Sequence, residues 1–186
     1  ITWLDGSTVH LQQSVDSTEW KTANIDELTE MMTRRAGKEA LRASLEAATG
    51  GNRVISVCLY DINHLKDVND RFGHAEGDRL IRVITRAVSK SFDRGDFGFR
   101  LSGDEFVCVM NTGAAQARKR IEGVLGELEG LSRTQAYPYL IGFCFGIVEV
   151  LPGSDLTLVE TIARADRRMY DQKRRFHIEE NERKAQ

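Results

Sequence analysis

Asp61-Ile-Asn-His-Leu-Lys-Asp-Val-Asn-Asp-Arg-Phe-Gly-His-Ala-Glu-Gly-Asp78 follows an apolar run, Val54 to Tyr60, and this junction decides how the chain folds. The run reads as a buried strand that ends at Asp61. Leu65, Val68 and Phe72 then recur at i, i+3 and i+7, which predicts a short helix, with Lys66 and Asn69 sharing a different side of it. Gly73 to Gly77 reads as a loop, and a longer helix follows with Leu80, Ile84, Ala87 and Val88 toward the core. Downstream, Phe97 to Leu101 and Phe106 to Met110 flank Ser102-Gly-Asp-Glu105. This predicts a β-hairpin in which Gly103 supplies a permissive backbone and two acids sit at the tip.

Working outward, Ile1 to Val15 reads as a hairpin turning at Asp5-Gly-Ser7. A helix is expected from Asp26 to about Ala48, interrupted at Gly37 and stopped by Gly50-Gly51. Strand one covers roughly residues 53–60. Ala114 to Leu128 is amphipathic through Ala117, Ile121, Val124 and Leu128, and Tyr139 to Val150 is another apolar strand. Leu158, Ile162, Ala165 and Met169 mark the last helix, and the polar chain past Lys173 is expected to fray. Strands and helices alternate, but the embedded hairpin excludes a purely parallel arrangement. The fold class is α/β (α+β), a mixed central sheet of about five strands flanked by helices. The expected units are residues 1–23 as an N-terminal hairpin and linker, 24–175 as the main domain and 176–186 as a polar tail.

The 186 residues suffice for a full core without disulfide or metal staples. The formal charge of −2 gives no reason to expect nucleic acid. Cys58, Cys108 and Cys144 each lie in an apolar run and read as core residues of a reducing compartment. No apolar run approaches the ~20 residues that cross a bilayer, and the first residues lack a signal-peptide pattern, so a cytoplasmic piece is expected. Ile1 begins inside a strand-like run, which suggests a longer protein whose other parts are free to include a membrane anchor.

If strand one neighbours the hairpin, Asp61 approaches Asp104 and Glu105, and clustered carboxylates call for a cation. Oxygen donors with no nearby Cys or ligand-spaced His favour Mg²⁺ or Mn²⁺ over Zn²⁺. Such an ion completes its shell with water and phosphate oxygens, which suggests a nucleotide. The backbone N–H groups near Asn63, His64 and Leu65 offer an anion site at a helix start, and Lys66 adds charge. Asp78 and Asn69 suit guanine, whose two adjacent donors a carboxylate accepts together. Each residue has a structural alternative: Asp78 as a helix N-cap, Asn69 as solvated surface, Asp104 and Glu105 as an exposed tip. Together they favour a site that joins metal, phosphate and guanine.

Over roughly Ile25 to Lys173 these motifs resemble the diguanylate cyclase (GGDEF) family. Asp61 to Asp78 is similar to its D-[IL]-D-x-F-K-x-[IV]-N-D-x-x-G-H-x-x-G-D segment, and Asp96 to Phe106 to D-x-x-x-R-x-G-G-D-E-F. Asp26-Glu-Leu-Thr29 resembles its D-x-L-T opening, and Ala165 to Lys173 its A-D-x-x-[LM]-Y-x-x-K helix. The resemblance implies a nucleotidyl-cyclase or polymerase-palm-like fold and condensation of two GTP into cyclic di-GMP with release of pyrophosphate. It implies metal ligands at Asp61, the Ile62 carbonyl and Asp104, with Glu105 as a further metal or base residue. It also implies guanine contacts at Asn69 and Asp78, and phosphate contacts from Lys66, Lys173 and the backbone around His64 and Leu65. Since one domain holds one GTP, a homodimer is implied. Trp3 to Ser7 with Ser14 to Lys21 resembles the closing strands and exit of a PAS sensor domain, the alternative being an ordinary N-terminal hairpin on the main domain.

The chain departs from the family pattern at several points. Ser102 replaces the first Gly of the signature, giving S-G-D-E-F, and Asn63 and Leu65 replace Asp and Phe. Thr33 and Gly37 stand where the opening helix usually carries Asn and an apolar side chain, which implies looser packing. Phe176-His177 replaces Gly-Arg, so one phosphate-binding Arg is missing. The family's inhibitory R-x-x-D product site reads Asp93-Arg-Gly-Asp96, which implies weak feedback or none. The alternative function is a catalytically weak or inactive module that binds GTP or cyclic di-GMP and regulates partners.

Overall fold

A computed structural model describes residues 22–134 and 137–184 of the chain. The expected hairpin over residues 1–15 and the PAS-like stretch lie outside the described residues. The elements are α1 (Arg34–Thr49), β1 (Ile55–Ile62), α2 (Leu65–Phe72), α3 (His74–Lys90), β2 (Phe97–Ser102), β3 (Glu105–Met110), α4 (Ala114–Thr134), β4 (Phe143–Val150) and α5 (Leu158–Lys184).

Every residue of β1 is buried, as an apolar run without polar alternation requires, since such a strand must be covered on both faces. The sheet order is β2-β3-β1-β4, with β1 in the interior and each neighbouring pair antiparallel. Alternate side chains divide between two cores. Cys58, Tyr60 and Ile62 join Phe106, Phe143 and Phe145 beneath α2, α3 and α4. Val57 and Leu59 join Phe99, Val107 and Val148 beneath α1 and α5. Helices therefore flank both faces of one sheet, the α+β architecture expected.

Among the described residues the sheet has four strands, where about five were expected. What remains of a fifth is one residue: Met32 forms a parallel bridge to Phe99, closed by Met32 N–H to Gly98 O at 3.0 Å and Arg100 N–H to Met32 O at 3.1 Å. That bridge also corrects the helix expected from Asp26: residues 22–24 are helical, and the helix that runs to Thr49 begins at Arg34. Asp26 instead closes a turn, its carboxylate accepting from Thr29 N at 3.1 Å and Thr29 Oγ1 at 2.8 Å. Such a local bond competes with helix formation. Thr33 caps α1 by accepting from Ala36 N–H. Gly37 is buried inside the helix, and a Cβ there would lie 2.0 Å from Phe99 Cγ. The substitution therefore tightens the contact of α1 with β2, where looser packing was expected.

Three other boundaries move. β1 runs one residue past Asp61 to Ile62. The loop expected over residues 73–77 is largely the first turn of α3, with only Gly73, at φ 86°, separating α2 from α3. Among the described residues the chain past Lys173, expected to fray, is helical: α5 continues to Lys184, with Phe176 partly buried against the α1/α5 core. No helix among the described residues is long and apolar enough to cross a membrane.

The seat of α5 is set by Gly146. A Cβ on that residue would lie 2.1 Å from Ala165 O and 2.5 Å from Met169 N, so only glycine lets the helix backbone rest on β4. The helix then serves the outer edge of β4: Gln172 Oε1 accepts from Phe145 N–H, and Arg168 donates to Ile147 O. Edge groups that would otherwise stay unpaired are satisfied by side chains.

Candidate active site

The antiparallel register carries the geometry. Asp61 is the Cα partner of Glu105 across β1 and β3, and Glu105 is the partner of Ser102 across the hairpin. Directly opposed residues share a face of the sheet, with Cβ atoms about 4.5–5.5 Å apart. Two carboxylates thus face each other on the side that α5 covers. Asp61 is only 6% exposed. Its Oδ1 accepts from Lys173 Nζ at 2.6 Å, a contact that α5 brings from 112 residues away.

Burial lifts the Asp61 carboxyl above its ordinary 3.8; the hydrogen bond and charge of Lys173 oppose this, and Asp104 and Glu105 add to the rise. For Lys173, burial pulls the ammonium down, but the bond to Asp61 and the charges of Asp61 and Asp104 outweigh it, leaving it above its ordinary 10.5.

Asp104 belongs to the hairpin turn. Its carbonyl accepts from Ile62 N–H at 3.1 Å, which fixes the turn beside the end of β1. Arg100 clamps the same turn, donating from Nε and Nη2 to Gly103 O at 3.0 and 2.8 Å, and reaches Asp26 at 3.4 Å. One guanidinium thereby ties the signature hairpin to the turn before α1.

A cavity of about 400 Å³ opens beside this hairpin, lined by Leu65, Lys66, Asn69, Asp70, His74, Asp78, Ile81, Arg100, Gly103 and Asp104. It collects Leu65, Lys66, Asn69, Asp78 and Asp104, which the sequence singled out, from three separate segments, whereas Asp61, Ile62, His64, Glu105 and Lys173, also singled out, are not part of its lining. Gly77 brings α3 against α2 here, since a Cβ on it would lie 2.0 Å from Asn69 Oδ1. His74, Asp70, Ile81 and Arg100 were not assigned from the sequence. The signal for His74 was its spacing, four residues before Asp78 and so on the same side of α3. The turn into α2 has His64 as N-cap at φ 58° with no side-chain capping bond, so the cap leaves the first-turn N–H groups to other partners. Asn63 N–H is not among them, because it donates to Gly142 O at 3.0 Å. The His64 ring is engaged by other acids, with Nδ1 3.0 Å from Asp67 and Nε2 3.2 Å from Glu180 of α5.

Among the described residues no three His, Cys, Asp or Glu side chains converge into a finished metal cage. The donor set nevertheless fits a hard divalent cation: oxygen only, with two opposed carboxylates whose nearest compensating charge is one lysine. Gly103 adds open space on the cavity wall, as a Cβ there would meet no protein atom within 4 Å.

A larger cavity, about 690 Å³, lies between α4, β4 and α5 and touches Asn63, His64 and Cys144. It holds none of the three acids, so its size does not make it the site. At Asp93 to Asp96, the Asp96 side chain is fully buried and spent internally. It accepts from Asn111 N at 2.8 Å, Asp93 N at 3.0 Å and Arg120 Nη1 at 2.6 Å.

Comparison with known proteins bears on the family of the chain. A sequence profile described as diguanylate cyclase, GGDEF domain, matches residues 23–177. The chain is 30% identical over 158 residues to the diguanylate cyclase VdcA of Vibrio cholerae, covering 82% of this chain and 45% of that protein. It is 28% identical over 149 residues to the probable diguanylate cyclase DgcJ of Escherichia coli, covering 78% and 28%. The chain thus spans less than half the length of these curated relatives. Among solved structures, the coiled coil and GGDEF domain of DgcB from Caulobacter crescentus, in complex with cyclic di-GMP, superposes with a TM-score of 0.77 at 26% identity, covering 85% of this chain and 84% of that one. With the fold, the two motifs and a profile match over most of its length in agreement, the chain belongs to the GGDEF, or diguanylate cyclase, domain family.

Proposed function

We propose that this chain is the output domain of a signalling protein and acts as a diguanylate cyclase, joining two GTP into cyclic di-GMP with release of two pyrophosphates. The observation that carries the reading is the 400 Å³ cavity in which Lys66, Asn69 and Asp78 from α2 and α3 meet Gly103 and Asp104 of the hairpin. Asn69 and Asp78 select guanine: the carboxylate accepts from the two adjacent donors of its edge, and the amide both donates and accepts. Lys66 and the first N–H groups of α2, at His64 and Leu65, hold the phosphates. Lys173 supplies a second ammonium, and Gly103 allows backbone to approach the ligand.

Asp61, the Ile62 carbonyl, Asp104 and Glu105 are the residues that would hold Mg²⁺ or Mn²⁺. Such a cation, when bound, polarises the α-phosphate and lowers the pKa of the attacking 3′-hydroxyl. Asp61 has Lys173 on one oxygen, and Arg100 clamps the hairpin through Gly103 O. Each of the two phosphodiester bonds joins the 3′-hydroxyl of one GTP to the α-phosphate of the other and releases one pyrophosphate. With one cavity per domain, two copies must face each other, which makes dimerisation the point at which an upstream sensor exerts control. Because Asp96 is spent on Asn111, Asp93 and Arg120, weak product feedback is part of the proposal.

Incubation with GTP and Mn²⁺ tests the reading, with cyclic di-GMP identified by mass spectrometry. Product is expected from the parent chain in a forced dimer, and at least a hundredfold less from Asp104→Ala and from Glu105→Ala. GTP binding without product in that dimer would refute catalysis.

A further inference from the structure

We infer that Ser102 is a positioning residue for Glu105, an inference that rests on the function proposed above and adds to it. The Ser102 hydroxyl donates to Glu105 Oε2 at 2.6 Å. This lies in the 2.5–2.7 Å span typical of an O–H donor on an ionised carboxylate, among the stronger hydrogen bonds of proteins. The contact is built by the hairpin: a register shift between Arg100 and Ser102 makes Ser102 the direct partner of Glu105. Glu105 is in turn the partner of Asp61. Ser102, Glu105 and Asp61 form one row across three strands, and each of its two acids is held by a donor, Asp61 by Lys173 and Glu105 by Ser102.

Glycine at position 102, as the family signature has it, carries no atom that does this. The serine therefore does more than occupy a tolerant position. A glutamate has three rotatable bonds, and at this partly exposed tip its carboxylate has several places to go. The Ser102 bond fixes one oxygen in advance and leaves Oε1 free, so the carboxylate is oriented before an ion arrives. Groups that hold a ligating carboxylate in this way change metal affinity tenfold to a hundredfold when removed.

The test is a titration of the full chain with Mn²⁺ in the presence of 3′-deoxy-GTP, which cannot condense, with free Mn²⁺ read by electron paramagnetic resonance. Ser102→Ala and Ser102→Gly are expected to weaken Mn²⁺ binding about tenfold without lowering the thermal midpoint, and Ser102→Thr to retain parental affinity. Affinity within twofold of the parent for both Ala and Gly overturns the inference, as does failure of Thr to rescue. Asp61→Asn separates the levels. If it weakens Mn²⁺ binding while the Ser102 variants do not, only the serine's role is lost; if it leaves binding unchanged, the reading of the ion site fails as well.

Discussion

The two faces of the sheet contribute to the site in different ways. On one, α2 and α3 present Lys66, Asn69, His74 and Asp78 from a single short stretch of chain. On the other, Ser102, Glu105 and Asp61 line up across three strands, and Lys173 arrives from the last helix. A glycine makes each arrangement fit. At Gly77 an added methyl would meet Asn69 Oδ1, the movable end of a side chain; at Gly146 it would meet the backbone of α5. The first face is assembled by local helix geometry and yields easily. The second is a rigid contact between distant segments and does not.

Gly146→Ala puts most strain on this contrast. Its Cβ would lie 2.1 Å from Ala165 O, so α5 must lift, and a loss of about 3 kcal/mol is expected, the upper end of overpacking costs. Urea denaturation measures it, and an unchanged midpoint would mean that α5 is not rigidly seated.

Lys173→Met follows, at about 1–2 kcal/mol, because the ammonium is partly exposed and screened although Asp61 is buried. The raised Lys173 stabilises the fold below its ordinary 10.5, and this is lost as pH rises through its folded value. On the acid side Asp61 takes up its proton above the ordinary 3.8, which removes the pair. The deficit of the variant should therefore be full between those limits and shrink at both ends; a deficit independent of pH would show that packing, not charge, is what Lys173 contributes.

Gly77→Ala should move stability least, by under about 0.5 kcal/mol, since the better helix propensity of alanine offsets the displacement of Asn69. GTP binding should nevertheless weaken about tenfold relative to ATP, the worth of roughly one hydrogen bond to the base. Calorimetric titration with both nucleotides measures this, and unchanged discrimination would remove Asn69 from guanine recognition.

The parts of the fold legible in the sequence were those with unbroken periodicity. The span of α2 follows from Leu65, Val68 and Phe72, and the hairpin from two apolar runs around Ser102 to Glu105. The misreadings occurred where a local polar bond or a distant contact outweighed the pattern. Asp26 holds a turn through Thr29 against the helix that Ile25, Leu28 and Met32 suggest. Gly37 reads as a helix breaker until Phe99 fills the space above it. The residues after Lys173 look like solvated tail, yet Phe176 packs, partly buried, against the core and the helix continues to Lys184. For the site, the sequence offered Asp61, Asp104 and Glu105 as candidates but not their neighbours: that Ser102 bonds Glu105 depends on a register shift inside the hairpin.

By itself the sequence determined the chemical inventory: three acids at chain reversals, an amide and a carboxylate suited to guanine, a lysine beside a helix start, and the motif spacing of a nucleotide cyclase family. Residue types and short-range periodicity are local properties, and a one-dimensional chain carries them in full. The tertiary structure decided which donor serves which acid. Those pairings depend on antiparallel register and on how closely α5 can approach β4, and both are fixed only when segments far apart in the chain compete for the same space.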